Sequence, residues 1–389
     1  MTESKQNHHP RPIIGVLVNK KFFSSDKGAL FASKLLQANT KVHCLIYFFT
    51  PGDIDWNSRH IHGYVPGPGN QWVRDSFPLP DFLYDRIVPF SSVEKAILED
   101  IRERLRALPN LQFYNSCNLE KWKLHRALAR YRAVNKYLPA TILLRSFADI
   151  AAMLAQYGLI FIKKSDGRGG RSVFSVERQE EGFCLRFYRR GHLKKVVADI
   201  NELQSLLQQL IDPEQEYVIQ QGVRLMRFRG RLFDLRILLV KDKHGKWNAI
   251  YNQARLAQKG AVITNLALGG DVFDYSTLYP ELKACYLSVP TDEEIRKAAI
   301  IIARHIEKGF GLFGEIGMDL GIDEDGKLWF FEGNSKPSKL PEQAIEDTVG
   351  ISPQFLMTLQ YARTLYNRRF GRRPITSRRD GRNNYIPAR

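Results

Sequence analysis

The chain has 389 residues, 44% hydrophobic and 25% charged, with a formal charge of +17. That length predicts two or three domains and a real core, and the lack of any run of about 18 apolar residues excludes a membrane-spanning segment. The excess positive charge favours phosphate-bearing or polyanionic partners without saying which.

The polar start, MTESKQNHHPRP, has no apolar stretch of the kind a signal peptide needs, and residues 1–11 read as a disordered lead. Ile13–Val18 is a continuous apolar run, the mark of a buried strand. A helical pattern over Ala29–Gln37 and a second apolar run over Val42–Phe49 come next, so residues 12–115 read as a small α/β domain. Within it, Ser91–Leu108 reads as a helix whose Val93, Ile97, Ile101 and Leu105 form one core-facing stripe.

A larger α/β and α+β domain is expected over residues 116–345. It opens with KWKLHRALARYRAVNKY, which holds six Lys or Arg and no acid between Lys121 and Lys136 and reads as a helix. Strands are expected at 159–164, 172–177, 183–189, 216–221, 232–240 and 247–253, and helices at 146–157 and 199–210. TDEE at Thr291–Glu294 is a capping box that opens a further helix. Ser352-Pro353 starts a last helix within 346–370. Residues 371–389 form a basic tail; from Arg363 to Arg389 there are nine arginines and one acid, Asp380. The four cysteines, Cys44, Cys117, Cys184 and Cys285, have neither zinc nor disulfide spacing and read as reduced thiols of a cytoplasmic protein.

Polar residues inside apolar runs locate the chemistry. MDLGIDEDGKLWFFEGNSKPSK, Met318–Lys339, carries Asp319 in one strand-like run and Glu332 and Asn334 in another. A two-residue turn at Asp325-Gly326 places Asp319 opposite Glu332, with Asn334 on the same face. A four-residue loop keeps all three on one face; only an odd-length loop breaks the arrangement. Facing carboxylates repel, so something neutralises them. That is either a hard cation, with Mg²⁺ suited to two carboxylates and an amide, or nearby lysines such as Lys336.

The phosphate side is FIKKSDGRGGRSV, Phe161–Val173: a strand ending in lysines, then a glycine-rich loop whose amides can approach phosphate. Lys163 and Arg171 add charge, and neither a Walker A loop nor a dinucleotide fingerprint is present. YVIQQGVRL, Tyr217–Leu225, is β-rich, with a backbone that can pair with an adenine edge. FDLRILLV, Phe233–Val240, sets Asp234 and Arg236 on one strand face, opposite Leu235 and Ile237. Such an arginine is either a preorganised phosphate clamp or half of a local Asp–Arg pair.

In this order the motifs, with NLALGG at Asn265–Gly270, resemble the ATP-grasp superfamily, and within it the YheC/YheD group of spore coat-associated proteins. The resemblance runs from about Asn115 to Leu340. It implies an ATP-grasp fold of the glutathione synthetase ATP-binding type, preceded by a Rossmann-like α/β domain. It also implies ATP and Mg²⁺ as cofactors. On this chain it places Lys121, Lys163, Gly167 and Gly170 on the nucleotide phosphates and Gln220, Gln221 and Val223 at the adenine. It gives Arg236 and Arg255 to the transferred phosphate, Asp319, Glu332 and Asn334 to the metal, and Asn265, Gly269 and Gly270 to the acceptor loop. Departures stand at Lys164, where proline is usual, and at Arg168 and Ser172.

The activity that the resemblance implies is that of a ligase joining a carboxylate to an amine or similar nucleophile through an acylphosphate, associated with the spore coat or envelope. Such chemistry rests on positioning and charge neutralisation. No Ser-His-Asp or Cys-His arrangement competes, and His8, His9, His60 and His62 read as surface residues. The rival is a non-catalytic nucleotide-binding scaffold. In either case the basic tail is a candidate contact for an acidic polymer or assembly.

Overall fold

The computed structural model describes residues 11–89, 91–167, 173–188, 192–258, 270–339 and 350–370. The basic tail, the lead before Arg11, and Gly170, Arg171, Asn265 and Gly269 lie outside them.

Three sheets organise the chain. The first contains β1 (Ile13–Leu17), β2 (Leu45–Phe49), β3 (Ile54–Asp55), β4 (His60–Pro66), β5 (Trp72–Pro78), β6 (Phe82–Asp85) and β7 (Gln112–Phe113). Its order is β3-β4-β2-β1-β6-β7, with β5 beside β4. Strands β2, β1, β6 and β7 run parallel and are near-continuously apolar, as strands covered on both faces must be. Helix α1 (Asp26–Asn39) packs on one face through Phe31 and Leu35, and α2 (Ser92–Arg106) on the other through Leu98 and Leu105.

The expected stripe on α2 is corrected. Val93 and Ile97 are exposed, Ile101 is half-buried, and the helix turns Leu98, Arg102 and Leu105 inward. Arg102 enters because Asp85 waits for it at the end of β6, Nε to Oδ2 2.8 Å. A buried carboxylate needs such a partner, and that need outweighs a neat apolar repeat.

The next segment, expected as one helix, is two: α3 (Lys121–Leu128) and α4 (Arg132–Asn135). Tyr131 between them is extended, and its ring packs on His305 with centroids 4.8 Å apart. Tertiary packing overrides local propensity there.

The second sheet holds β8 (Thr141–Leu143), β9 (Leu159–Lys164), β10 (Val173–Arg178), β11 (Phe183–Tyr188), β12 (His192–Val197) and β13 (Tyr217–Gln221), ordered β12-β11-β10-β9-β13-β8. Helices α5 (Phe147–Tyr157) and α6 (Ile200–Leu210) cover one face with Ile150, Leu154, Leu203 and Leu207. Ile160 and Ile162 point into that core, so the alternation of β9 turns Phe161 and Lys163 to the other face.

The third sheet contains β14 (Arg227–Phe228), β15 (Arg231–Lys241), β16 (Trp247–Leu256), β17 (Asp271–Asp274), β18 (Glu315–Ile322) and β19 (Leu328–Asn334). Its order is β17-β16-β15-β18-β19, with β14 beside β15. Helices α3, α7 (Tyr275–Cys285) and α8 (Asp292–Phe310) bury one face, on which Leu235, Ile237, Ala254, Ile316, Met318, Leu320, Leu328 and Phe330 meet Ile295, Ala299 and Ile302. Thr291 caps α8: its hydroxyl accepts from the Glu294 amide at 3.3 Å, and the Glu294 carboxylate accepts from the Thr291 amide at 2.8 Å. Helix α9 (Pro353–Phe370) returns to α1, with the Phe31 and Phe355 rings 5.2 Å apart.

Candidate functional site

The third sheet turns its opposite face to the site. Because Leu235 and Ile237 are core residues, Asp234 and Arg236 leave on the other side of β15. The ladders align Gln253, Arg236, Asp319 and Glu332 across β16, β15, β18 and β19. Asp319 therefore faces Glu332, and Gly317 faces Asn334.

The route to this register differs from the expected two-residue turn. Ile322 pairs with Leu328, and the turn closes where the Asp323 amide donates to the Lys327 carbonyl at 3.0 Å, leaving an odd loop of three residues. Gly326 takes the left-handed φ of +85° that the turn needs. Alone, this loop would set Phe331 opposite Asp319. A bulge between Asp319 and Leu320 adds one residue on β19 and restores the pairing. Two single-residue deviations cancel, and Glu332 and Asn334 stay out of the core occupied by Leu328 and Phe330.

Asp319 is half-buried and carries two guanidinium groups. Arg236 Nη2 donates to Oδ2 at 3.2 Å and its Nε lies 2.7 Å from Oδ1. That second approach is an ion pair too bent for a hydrogen bond, so Nε and Oδ1 are both buried without a hydrogen-bond partner. Arg255 Nη2 is 3.2 Å from Asp319 Oδ2, while Asp234 grips the same guanidinium through Nε at 2.7 Å and Nη2 at 2.5 Å. Burial opposes ionisation of Asp319, but Arg236 and then Arg255 hold its carboxyl below the usual range. Lys336 does not neutralise these acids: it pairs with Asp85 at 2.6 Å.

Beside this row opens a narrow cleft between the second and third sheets. Its polar groups are Lys121, Lys163, Gln220, Thr141, His125 and Glu332, and Leu124, Leu138, Val218, Phe330 and Phe331 supply apolar wall. Lys163 Nζ donates to Gln220 Oε1 at 2.6 Å, and Gln220 Nε2 donates to Thr141 Oγ1 at 3.2 Å. Burial, with Lys121 nearby, pushes the Lys163 amine down to about 8, against the pull of Glu332 and Asp319. Lys121 hydrogen-bonds the Gly167 carbonyl and stands 3.7 Å from Glu332 Oε2.

The structure thus brings together Lys121, Lys163, Gln220, Arg236, Arg255, Asp319, Glu332 and Asn334, with Gly167 at the rim. Gln221 turns away, its side chain accepting from the Ala140 amide at 3.1 Å. The amides of Gln221 and Gly222 are taken up by Ala140 O and Leu159 O, each at 2.8 Å. Gly270 precedes β17, away from the carboxylate row in sequence. Sequence reasoning missed Thr141, His125 and Phe331. Only Phe331 left a signal, as the second of two successive phenylalanines before Glu332.

Oxygen donors of this kind fit a hard divalent ion, and Asp319 Oδ1, held by Arg236 in an ion pair but in no hydrogen bond, is the oxygen such an ion would take over. Among the described residues no three His, Cys, Asp or Glu side chains converge.

Two antiparallel sheets gripping a cleft, behind a parallel α/β layer, define the ATP-grasp fold. A sequence model described as YheC/D-like ATP-grasp matches residues 110–365, and the chain belongs to that family. It is 27% identical over 342 residues to the endospore coat-associated protein YheD of Bacillus subtilis (strain 168), covering 85% of this chain and 74% of that one. To YheC of the same organism it is 21% identical over 293 residues, covering 75% and 80%. Among solved structures, D-cycloserine synthetase DcsG superposes with a TM-score of 0.56 at 15% identity, covering 92% of this chain and 99% of that one, a likeness of fold.

Proposed function

We propose that this protein is an ATP- and Mg²⁺-dependent ligase that joins a carboxylate to an amine or similar nucleophile through an acylphosphate, in association with the spore coat. The observation that carries the reading is the Asp319–Glu332 pair, set opposite each other among Lys121, Lys163, Arg236 and Arg255. Coat association rests on the names of YheD and YheC.

In this reading Lys121 and Lys163 bind the nucleotide phosphates, with Gly167 and Gly170 in the loop over them. The base lies in the cleft beside Gln220; Gln221, whose side chain points away, contributes only its backbone to the hinge, and the amide of Val223, beyond the two that the sheet takes up, is the one to meet the edge of the base. Asp319, Glu332 and Asn334 hold Mg²⁺, which when bound supplies charge neutralisation at the phosphates. Arg236 and Arg255 offset the charge that develops on the transferred group. Asn265, Gly269 and Gly270 flank the acceptor.

The test is release of ADP against pooled amino acids, peptides and cell-wall precursors. Asp319→Asn and Glu332→Gln are expected to abolish it; activity surviving in both overturns the metal assignment. ATP binding without turnover on any acceptor favours a nucleotide-binding scaffold.

A further inference from the structure

The site neutralises its own acids. Arg236 and Arg255 both hold Asp319, and Lys121 stands beside Glu332. Counting Lys163 and Asp234, four cations face three acids, an excess of one positive charge. Both metal-facing carboxylates are thus engaged by fixed charges, and a bare divalent ion meets a field that opposes it. A polyphosphate meets the reverse.

The two arginines are not equivalent. Arg255 is anchored by the two-point grip of Asp234, at 2.7 and 2.5 Å. Among the described residues Asp319 is the acid that Arg236 pairs with, and one of its two approaches is poorly aligned. Arg236 Nη1 lies beside Gly317, which places no side chain against it.

We infer that Arg236 is the resident counter-ion of Asp319, and that it yields the carboxylate to a divalent ion only when a nucleoside polyphosphate supplies a competing anion. Asp234 is then a positioning residue that keeps Arg255 in place while Arg236 turns. This inference rests on the proposed nucleotide site and adds a linkage to it: metal and nucleotide each raise the affinity for the other by the same factor. Arg236 is the residue through which that factor passes.

Calorimetry on the full chain tests this with three titrations: Mg²⁺ alone, ADP in EDTA, and ADP in saturating Mg²⁺. The expected result is weak Mg²⁺ binding alone, measurable ADP binding in EDTA, and at least about tenfold tighter ADP with Mg²⁺, within the usual range of coupling. In Arg236→Met, Mn²⁺ followed by electron paramagnetic resonance is expected to bind without nucleotide, and the coupling to fall toward one. Asp234→Asn leaves Arg236 on Asp319 and is expected to keep the coupling. Wild-type Mg²⁺ binding that is equally tight with and without ADP overturns the inference and leaves the nucleotide site intact. Mn²⁺ affinity unchanged in a folded Arg236→Met overturns the role of Arg236. ADP that binds under no condition overturns both.

Discussion

Glu315 and Lys339 form a fully buried ion pair, Nζ to Oε2 2.7 Å, with neither side chain reaching solvent. The Tyr84 hydroxyl lies 2.9 Å from each Glu315 oxygen, and Arg86 Nη1 donates at 2.8 Å. Lys339 also donates to the Gln354 carbonyl at 3.1 Å and to the Thr358 hydroxyl. One cluster thereby joins β6, β18 and α9, and it holds the segment just after Asn334. Lys339→Met leaves Glu315 with Arg86 and Tyr84 alone, and is expected to cost about 3 kcal/mol, at the lower end for breaking a buried pair. The double variant with Glu315→Gln is expected to cost less than the sum of the singles. Urea unfolding of all four chains measures this, and additivity within about 0.5 kcal/mol would show that the pair is not coupled.

Lys163 gives the site a pH dependence. Its amine titrates at about 8 because it is buried and near Lys121. An anionic ligand favours the charged form, so binding ADP at pH 9 is expected to take up nearly one proton, and at pH 7 almost none. Affinity falls as pH rises through about 8. Calorimetry in two buffers of different ionisation enthalpy reads the uptake, and Lys163→Met abolishes it. The stability effect has the opposite sense. The unfolded lysine, at about 10.4, binds more protons than the folded one between pH 8 and 10.4, so the penalty is complete below 8 and fades as pH rises. The slope is at most about 1.4 kcal/mol per pH unit. Lys339, also near 8, contributes in the same direction, and Lys163→Met separates the two.

The carboxylate hairpin was legible because side-chain alternation is strict and an acid in an apolar run stands out. The turn was not legible: loop length and bulge each depend on contacts beyond the hairpin, and the two deviations compensate. Lys336 was misplaced for a similar reason, since its partner Asp85 lies 251 residues earlier. Helix α7 carries Pro280 in its interior, which masks a helical pattern. Thr141 and His125 reach the cleft only through tertiary structure, on β8 and α3.

Helix α2 shows what periodicity alone cannot decide, because two apolar stripes compete and Arg102 chooses between them. Ile97 is 57% exposed and Leu98 is buried at 3%. Ile97→Lys is therefore expected to change stability by less than about 0.5 kcal/mol, whereas Leu98→Ala costs about 2–5 kcal/mol. Thermal unfolding of the two variants distinguishes them; similar losses in both would restore the stripe through Val93 and Ile97 to the core.

Gly321 lies two residues beyond Asp319 on the same face of β18. A Cβ there would stand 2.5 Å from Phe331 Cε2 and 2.7 Å from Leu225 Cδ2, and its φ is not in the left-handed region, so the cost of a side chain is steric. The Phe331 ring also lies 5.6 Å from Lys163 Nζ, so displacing it disturbs the cleft wall and the cation together. Gly321→Ala is expected to cost about 1–3 kcal/mol by overpacking and to weaken ADP binding. Adding Phe331→Leu, which shortens the opposing side chain, is expected to return most of the stability but not the affinity, because the ring under Lys163 is then gone. Unfolding midpoints and ADP titrations of the single and double variants test both halves, and an unchanged midpoint in Gly321→Ala would mean that the ring is not wedged against this glycine.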